Sequence, residues 1–567
     1  MRVIGKFWVA AMFWAALGSG AAGAQERAGP FLAARAASGI GDHAPAALYF
    51  GRVLLADPEN PVFLEGGVLA NAATGDIETA LALARRMVDL GISSQIANLV
   101  VLAGDFAQGD YAAVLESQAA GREAGVLVDA LATGWAHLGQ GSMSESLAAF
   151  DTLVADDAMA SFGLNQKAFA LAMVGDLEAA EAIFAGADGP VAMNRRSVLA
   201  HVAILSQLDR MEEATALIND MFDVDAEADI LAIRAALADG ERIPLTTVTT
   251  PQDGLAEALF SVAGALSSDP ADEFALLHAR LTLYLRPDHA DAALLAGRLL
   301  AQAGQYALAD EAYAQIPEDD PFALGAQLGR AQALYNEGDS EGAIDQLRSL
   351  SETHPTSVIA HNTLGDFLRR EERFDGAIAA YGRAIDLLDP PESRHWVVFY
   401  SRATSHDRSG DWPSAESDFR RALELAPEQP GVLNDLGYSM TEQGGNLEEA
   451  LAMIERAVEA EPDNGFFVDS LAWALFRMGR YDEAVAPMER ASQLLPVDPV
   501  LTDHLGDVYW AVDRQREARF QWRRALSYGE HPGLDLERLR RKLEVGLDRV
   551  LEEEGAEPLR ARDANGN

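Results

Sequence analysis

One two-helix unit of about 34 residues, repeated along the chain, constrains this sequence more than any other feature. Its clearest copy is Asp463–Pro496, which reads as a self-contained helical hairpin. Phe467, Val468, Leu471, Leu475 and Met478 follow the three-and-four spacing of an amphipathic helix, and Gly479-Arg480 ends it. Tyr481 to Leu495 then sets Ala484, Val485, Met488 and Ala491 on one face, until Pro496, which has no amide to donate, stops it. Ala472, Ala484 and Ala491 mark where helices approach closely. A larger side chain there would overpack at about 1–3 kcal/mol.

The compact residue that opens each second helix can be followed along the chain. It falls at Ala46, Ala80, Val114, Ser146, Ala180 and Ala214, and again at Ala275, Ala309, Ala343, Ala377, Ala415, Ala450, Ala484 and Ala518. The turns Gly75-Asp76-Ile77, Gly109-Asp110-Tyr111 and Gly175-Asp176-Leu177 recur in step. Residues 25–45 read as a loose lead-in, with helical units starting near Pro45. The N-terminal units are the less regular ones. Between Ala214 and Ala275 the period breaks. Asp229 to Ala238 looks helical, but Ile243 to Gly254, with two prolines and a β-branched run, opposes helix formation and predicts a joint. Asp389-Pro390-Pro391 lengthens one later connection. Leu534 to Leu551 reads as a charged amphipathic end cap, and residues 556–567 as a disordered tail.

Composition narrows the partners. With 44 Lys+Arg against 88 Asp+Glu the net charge is −44, which repels phosphate backbones and anionic membranes as a whole. The absence of cysteine excludes disulfides and thiol chemistry. Arg2 and Lys6, the apolar run Phe7 to Leu17 and the small residues Ala22-Gly23-Ala24 predict an export signal cleaved after Ala24. No cysteine follows the apolar run to carry a lipid, so the expectation is an exported or periplasmic protein free of a membrane span after cleavage, with an uncleaved N-terminal anchor as the alternative.

The repeats resemble the tetratricopeptide family, in which Leu, a small residue, an aromatic, two Ala and Pro recur at set offsets. Leu505, Gly506, Tyr509, Ala518, Trp522 and Ala525 carry the pattern, as do Leu436, Gly437, Ala450, Ala457 and Pro462. The resemblance implies an all-α right-handed superhelical solenoid of about fourteen antiparallel helix pairs, the first helix of each lining a concave groove. The division is then a signal at 1–24, an N-terminal array at 25–228, an irregular joint at 229–255, a C-terminal array at 256–532 and a cap at 533–555. The block from Asn434 onward is similar to exported bacterial tetratricopeptide proteins. Some of these are outer-membrane lipoproteins that act as adaptors between a periplasmic carboxyl-terminal processing protease and its cell-wall hydrolase substrates.

Signals of chemistry are weak. Gly18 to Gly23 fits a dinucleotide-binding glycine pattern but follows no strand. His201 and His504 belong to no metal-binding pair, and Asp223, Asp225 and Glu227 begin a calcium-loop pattern that Ala228 and Arg234 break, so no metal or cofactor is expected. Glu145-Ser146 and Glu416-Ser417 superficially match the catalytic pair of lytic transglycosylases. Both sit in a helix's opening turn, where an acid is favoured electrostatically, so no enzyme is expected. The groove is the remaining candidate. Projection of the C-terminal first helices places Tyr400, Asn434, Tyr438, Asp469, Trp473, Asp503, Asp507 and Trp510 on its inner side, with Arg477, Arg369 and Arg370 adding positive charge. Asn and Asp can hold a peptide backbone, and Tyr and Trp offer apolar contact with a polar edge. The expected function is a scaffold for peptide or protein partners, with self-association through the C-terminal helix also open. A peptidoglycan- or polysaccharide-associated binding protein or enzyme subunit is the alternative, because aromatic grooves also stack on sugars.

Overall fold

The computed structural model describes residues 29–222, 228–267, 273–556 and 559. The expected signal peptide, the acidic loop at 223–227 and, Leu559 apart, the tail from 557 lie outside them. The described residues are helical with no strand, and form fourteen antiparallel pairs from residues 29–56 to Pro499–Ser527. Every compact marker from Ala46 to Ala518 is at most 1% exposed. All but one are the fourth residue of a second helix. The reason is local. At Gly506, seven residues into its helix, a Cβ would lie 2.3 Å from the Trp522 ring nitrogen, so the pair can close only on a bare backbone. The turn between partners is equally fixed. Gly479 adopts φ +75°, letting its amide and that of Arg480 bond back to the carbonyls of Phe476 and Leu475.

Residues up to Gln346 and from Leu347 onward form two compact units. Within each, successive first helices touch, as Pro61–Thr74 does Gln95–Ala107 and Pro430–Glu442 does Gly465–Arg477. Contact between alternate helices on one side only is what makes a stack curve, so the first helices line the inner face.

Several boundaries differ from expectation. Residues 29–39 form a helix that pairs with His43–Ala56, so the array begins before Pro45. Pro251 does not end the irregular stretch but opens helix Pro251–Leu266, since the first helical position needs no amide. Thr250 and Asp253 cap it reciprocally. The expected single end helix is two, Leu536–Val545 and Leu547–Glu554, separated by Gly546 at φ +86°. No described helix is long and apolar enough to cross a membrane.

Candidate functional site

The inner face of the N-terminal unit is occupied by its own chain. Helix Pro251–Leu266 packs on the first helices Val126–Gly139 and Ala160–Met173, and Glu273–Leu285 on Pro61–Thr74 and Gln95–Ala107. Gly254 is seated against the Trp135 ring, where a Cβ would come within 2.3 Å. Beside this contact Glu257, 2% exposed, accepts a two-pronged bond from Arg196 of the following first helix, Arg195–Gln207, and lies 3.3 Å from Arg286 and 3.4 Å from His289. Burial alone would push the Glu257 carboxyl up, but Arg196 and then His289 outweigh it and hold it at about 2. Arg196 also reaches Asp291, and Tyr284 donates to Glu78. Burial of ionic groups is tolerable here because each is bonded to several opposites.

The C-terminal unit contains all nine expected groove residues, and the structure divides them. Asp503, Asp507 and Trp510 are engaged by the chain's own end. Lys542, fully buried, donates to both oxygens of Asp503 and to Asp507 at 2.7–2.9 Å. Asp507 also accepts the Trp522 ring N–H. Trp510 donates to Asp548 and has Gly546 laid on its ring. These three therefore fasten the cap, a correction to their expected role in a groove: the last pair has no following repeat, so its neighbour-facing side is covered by what comes next.

The other six, half-buried apart from the buried Asn434, form a line between successive first helices. Tyr400 donates to Asp435 at 2.6 Å, and burial followed by the Asp435 charge pushes its hydroxyl well above the usual phenol range. Asn434, buried, donates to Asp435. Burial, then Glu442 and Asp469, raises Tyr438 likewise. Trp473 and Arg477 both donate to Glu442, at 2.6 and 2.9 Å. Trp473 is parallel to His504 at 4.0 Å and to Phe476 at 4.9 Å, and His504 in turn bonds Asp469 at 3.2 Å. Burial favours the neutral imidazole of His504, but Asp469, then Asp503 and Asp507, reverse this and raise its pKa. Arg369 bonds the Tyr381 hydroxyl, and Arg370 lies over Phe367.

Sequence reasoning missed an exposed apolar row. Ile359, Val397 and Phe466 are each the second residue of a first helix, and are 55%, 42% and 59% exposed. Phe466 shares a helix face with Asp469, Trp473 and Arg477 at three, seven and eleven residues, so the row borders the polar line. The signal was in the sequence: an apolar residue just after the cap, outside the core periodicity of its helix.

The tetratricopeptide repeat model matches residues 328–391, 400–465 and 442–499. That stretch is built of tetratricopeptide repeats. Such repeats mediate protein–protein contacts, and their relatives are in general non-catalytic scaffolds. A tetratricopeptide-repeat-containing protein of Pseudomonas aeruginosa is 26% identical over 212 residues, which covers 37% of this chain and only 35% of that relative. Among solved structures, a tetratricopeptide repeat protein from Parabacteroides merdae matches with 16% identity and a TM-score of 0.37, over 45% of this chain and 98% of the other. The APC/C hetero-tetramer Cut9-Hcn1 matches with 14% identity and a TM-score of 0.38, over 81% of this chain and 98% of the other.

Proposed function

We propose that the protein is a non-catalytic tetratricopeptide scaffold that holds a peptide or protein segment along the inner face of residues 358–477. The observation that carries this reading is the exposed row Ile359, Val397 and Phe466 beside the polar line of Tyr400, Tyr438, Asp469 and Trp473. Isolated exposed apolar residues are ordinary, but three at one repeat position give a partner a spaced set of apolar contacts. The polar line is already bonded within the chain. It supplies a preformed surface that a ligand meets without reorganising it, which limits the entropy lost on binding. A crosslinking amino acid in place of Phe466 should capture a discrete partner from envelope extract, and Ile359→Ala with Val397→Ala should diminish the capture while helicity is kept. Equal capture from a control position on a second helix would sink the groove assignment.

The location supported by the N-terminal sequence is the periplasm or exterior, in the manner of the exported adaptors that the C-terminal block resembles. A fusion of residues 1–60 to alkaline phosphatase should be active only if exported, and an inactive fusion would rule export out. The glycan-binding alternative draws no support from the two tryptophans of the expected groove. Trp473 is already stacked with two rings, and Trp510 lies beneath Gly546, so neither offers a free face to a sugar.

A further inference from the structure

We propose that the outer face of helix Gln515–Ser527 is a docking site for a short acidic segment of a partner protein. The helix inverts the charge balance of the chain. In a protein of net charge −44 it carries four arginines and a single glutamate. Arg516, Arg519, Phe520, Arg523 and Arg524 follow one another at intervals that put them on one side, while Ala518, Trp522 and Ala525 are fully buried on the other. Second helices elsewhere in this unit match their arginines with acids. Arg420 meets Glu416 and Glu449, Arg421 meets Glu424, Arg456 meets Glu428 and Arg490 meets Asp463, with Arg383 the exception among the described pairs. On this helix, by contrast, no carboxylate among the described residues pairs with Arg516, Arg519, Arg523 or Arg524. The glutamate of the helix, Glu517, is taken by Arg514.

Three of the four are nevertheless held in place by partners without charge. Arg519 lies over the Trp510 ring at 5.0 Å, Arg523 bonds a carbonyl of its own helix, and Arg524 donates to the Pro496 carbonyl and the Tyr528 hydroxyl. Their positions are therefore ordered while their charge stays uncompensated. Phe520 stands among them 59% exposed, beside a shallow recess lined by Tyr509, Arg516, Glu517 and Gln521. The chemistry that fits is carboxylates around one apolar or aromatic side chain. Arg516 to Arg524 spans about 12 Å of helix, which is about four residues of extended chain.

A membrane or nucleic acid fits less well. Each spreads its negative charge beyond the patch and meets the remaining acidic surface, whereas a short segment keeps its charges within the screening length of about 8 Å from these arginines.

The test uses the full chain and a fluorescein-labelled peptide, Asp-Glu-Phe-Glu-Asp, read by anisotropy. Saturable binding that weakens with added salt is expected. Arg516→Glu with Arg523→Glu, both exposed and free of structural bonds to other helices, should weaken it roughly tenfold with helicity unchanged. Phe520→Ala should weaken it less, and Phe466→Ala on the inner face should leave it unaltered, which separates this site from the groove. Absence of binding, or binding indifferent to the double reversal, would overturn the proposal. So would capture of phosphatidylserine vesicles or a single-stranded oligonucleotide in place of the peptide.

Discussion

The inner faces of the two units are built from the same hairpin and end in different states. In the N-terminal unit the first helices from Pro61 to Met173 bury their inner side under the hairpin of helices Pro251–Leu266 and Glu273–Leu285, and Glu257 ties the first of these to Arg196 of the following first helix. In the C-terminal unit the first helices from Val358 to Arg477 keep an exposed apolar row, and only the last pair is covered, by the cap. The difference lies in the connections. Short turns force each pair onto its predecessor, whereas the irregular stretch 239–250 is long enough to carry the chain back across the face it has just made. A repeat thus makes a groove, and the connection decides whether the protein fills it.

The contrast can be broken most severely at the latch. Glu257→Gln leaves Arg196 and Arg286 without their buried counter-charge and should cost about 3–5 kcal/mol. Segment-resolved hydrogen exchange should show lost protection at 251–266, at 273–285 and in the helices beneath, with 430–511 unaffected. Equal loss in both units would mean that the hairpin is not a local filler. At the other end, Lys542→Met strands Asp503 and Asp507 and should cost about 3 kcal/mol, seen as exposure of 536–554 together with Trp510 fluorescence. A pair of glycines sharpens the comparison further. Gly254→Ala must displace Trp135 and should cost about 1–3 kcal/mol, whereas Gly431→Ala, with open space around it at the repeat position of Phe466, should gain up to about 1 kcal/mol.

The pH responses should run in opposite directions and give the smallest effects. Glu257 is held below its unfolded value, so its contribution is complete above the unfolded carboxyl pKa and fades as pH falls toward about 2. His504 is raised, so its contribution is present below the unfolded imidazole pKa and fades as pH rises through the folded one. Thermal unfolding followed by segment across pH should show acid loss in the N-terminal unit. It should also show a fall in the C-terminal one as pH rises past the ordinary imidazole range, abolished by Asp469→Asn.

Much of the candidate site was legible in part. Tyr400, Asn434, Tyr438, Asp469, Trp473 and Arg477 could be placed on first helices because helical periodicity fixes which residues share a face. That Asp503, Asp507 and Trp510 belong to the cap could not be read the same way. They stand at the repeat positions of Asp469, Trp473 and Phe476, and what distinguishes them is the cap arriving from 35 or more residues away, Lys542 on the two carboxylates and Asp548 on Trp510. The row at Ile359, Val397 and Phe466 was passed over because an apolar residue at a helix start carries no periodic signal of its own.

By itself the sequence determined the unit and its count: the spacing of compact residues from Ala46 to Ala518 and the turns that reverse each helix are local, set by sterics within about 34 residues. The tertiary structure alone decided which inner face is covered and which side chains remain to meet a partner. An apolar stripe or a lone carboxylate specifies that it must be buried or paired, and leaves open which distant element comes to do it.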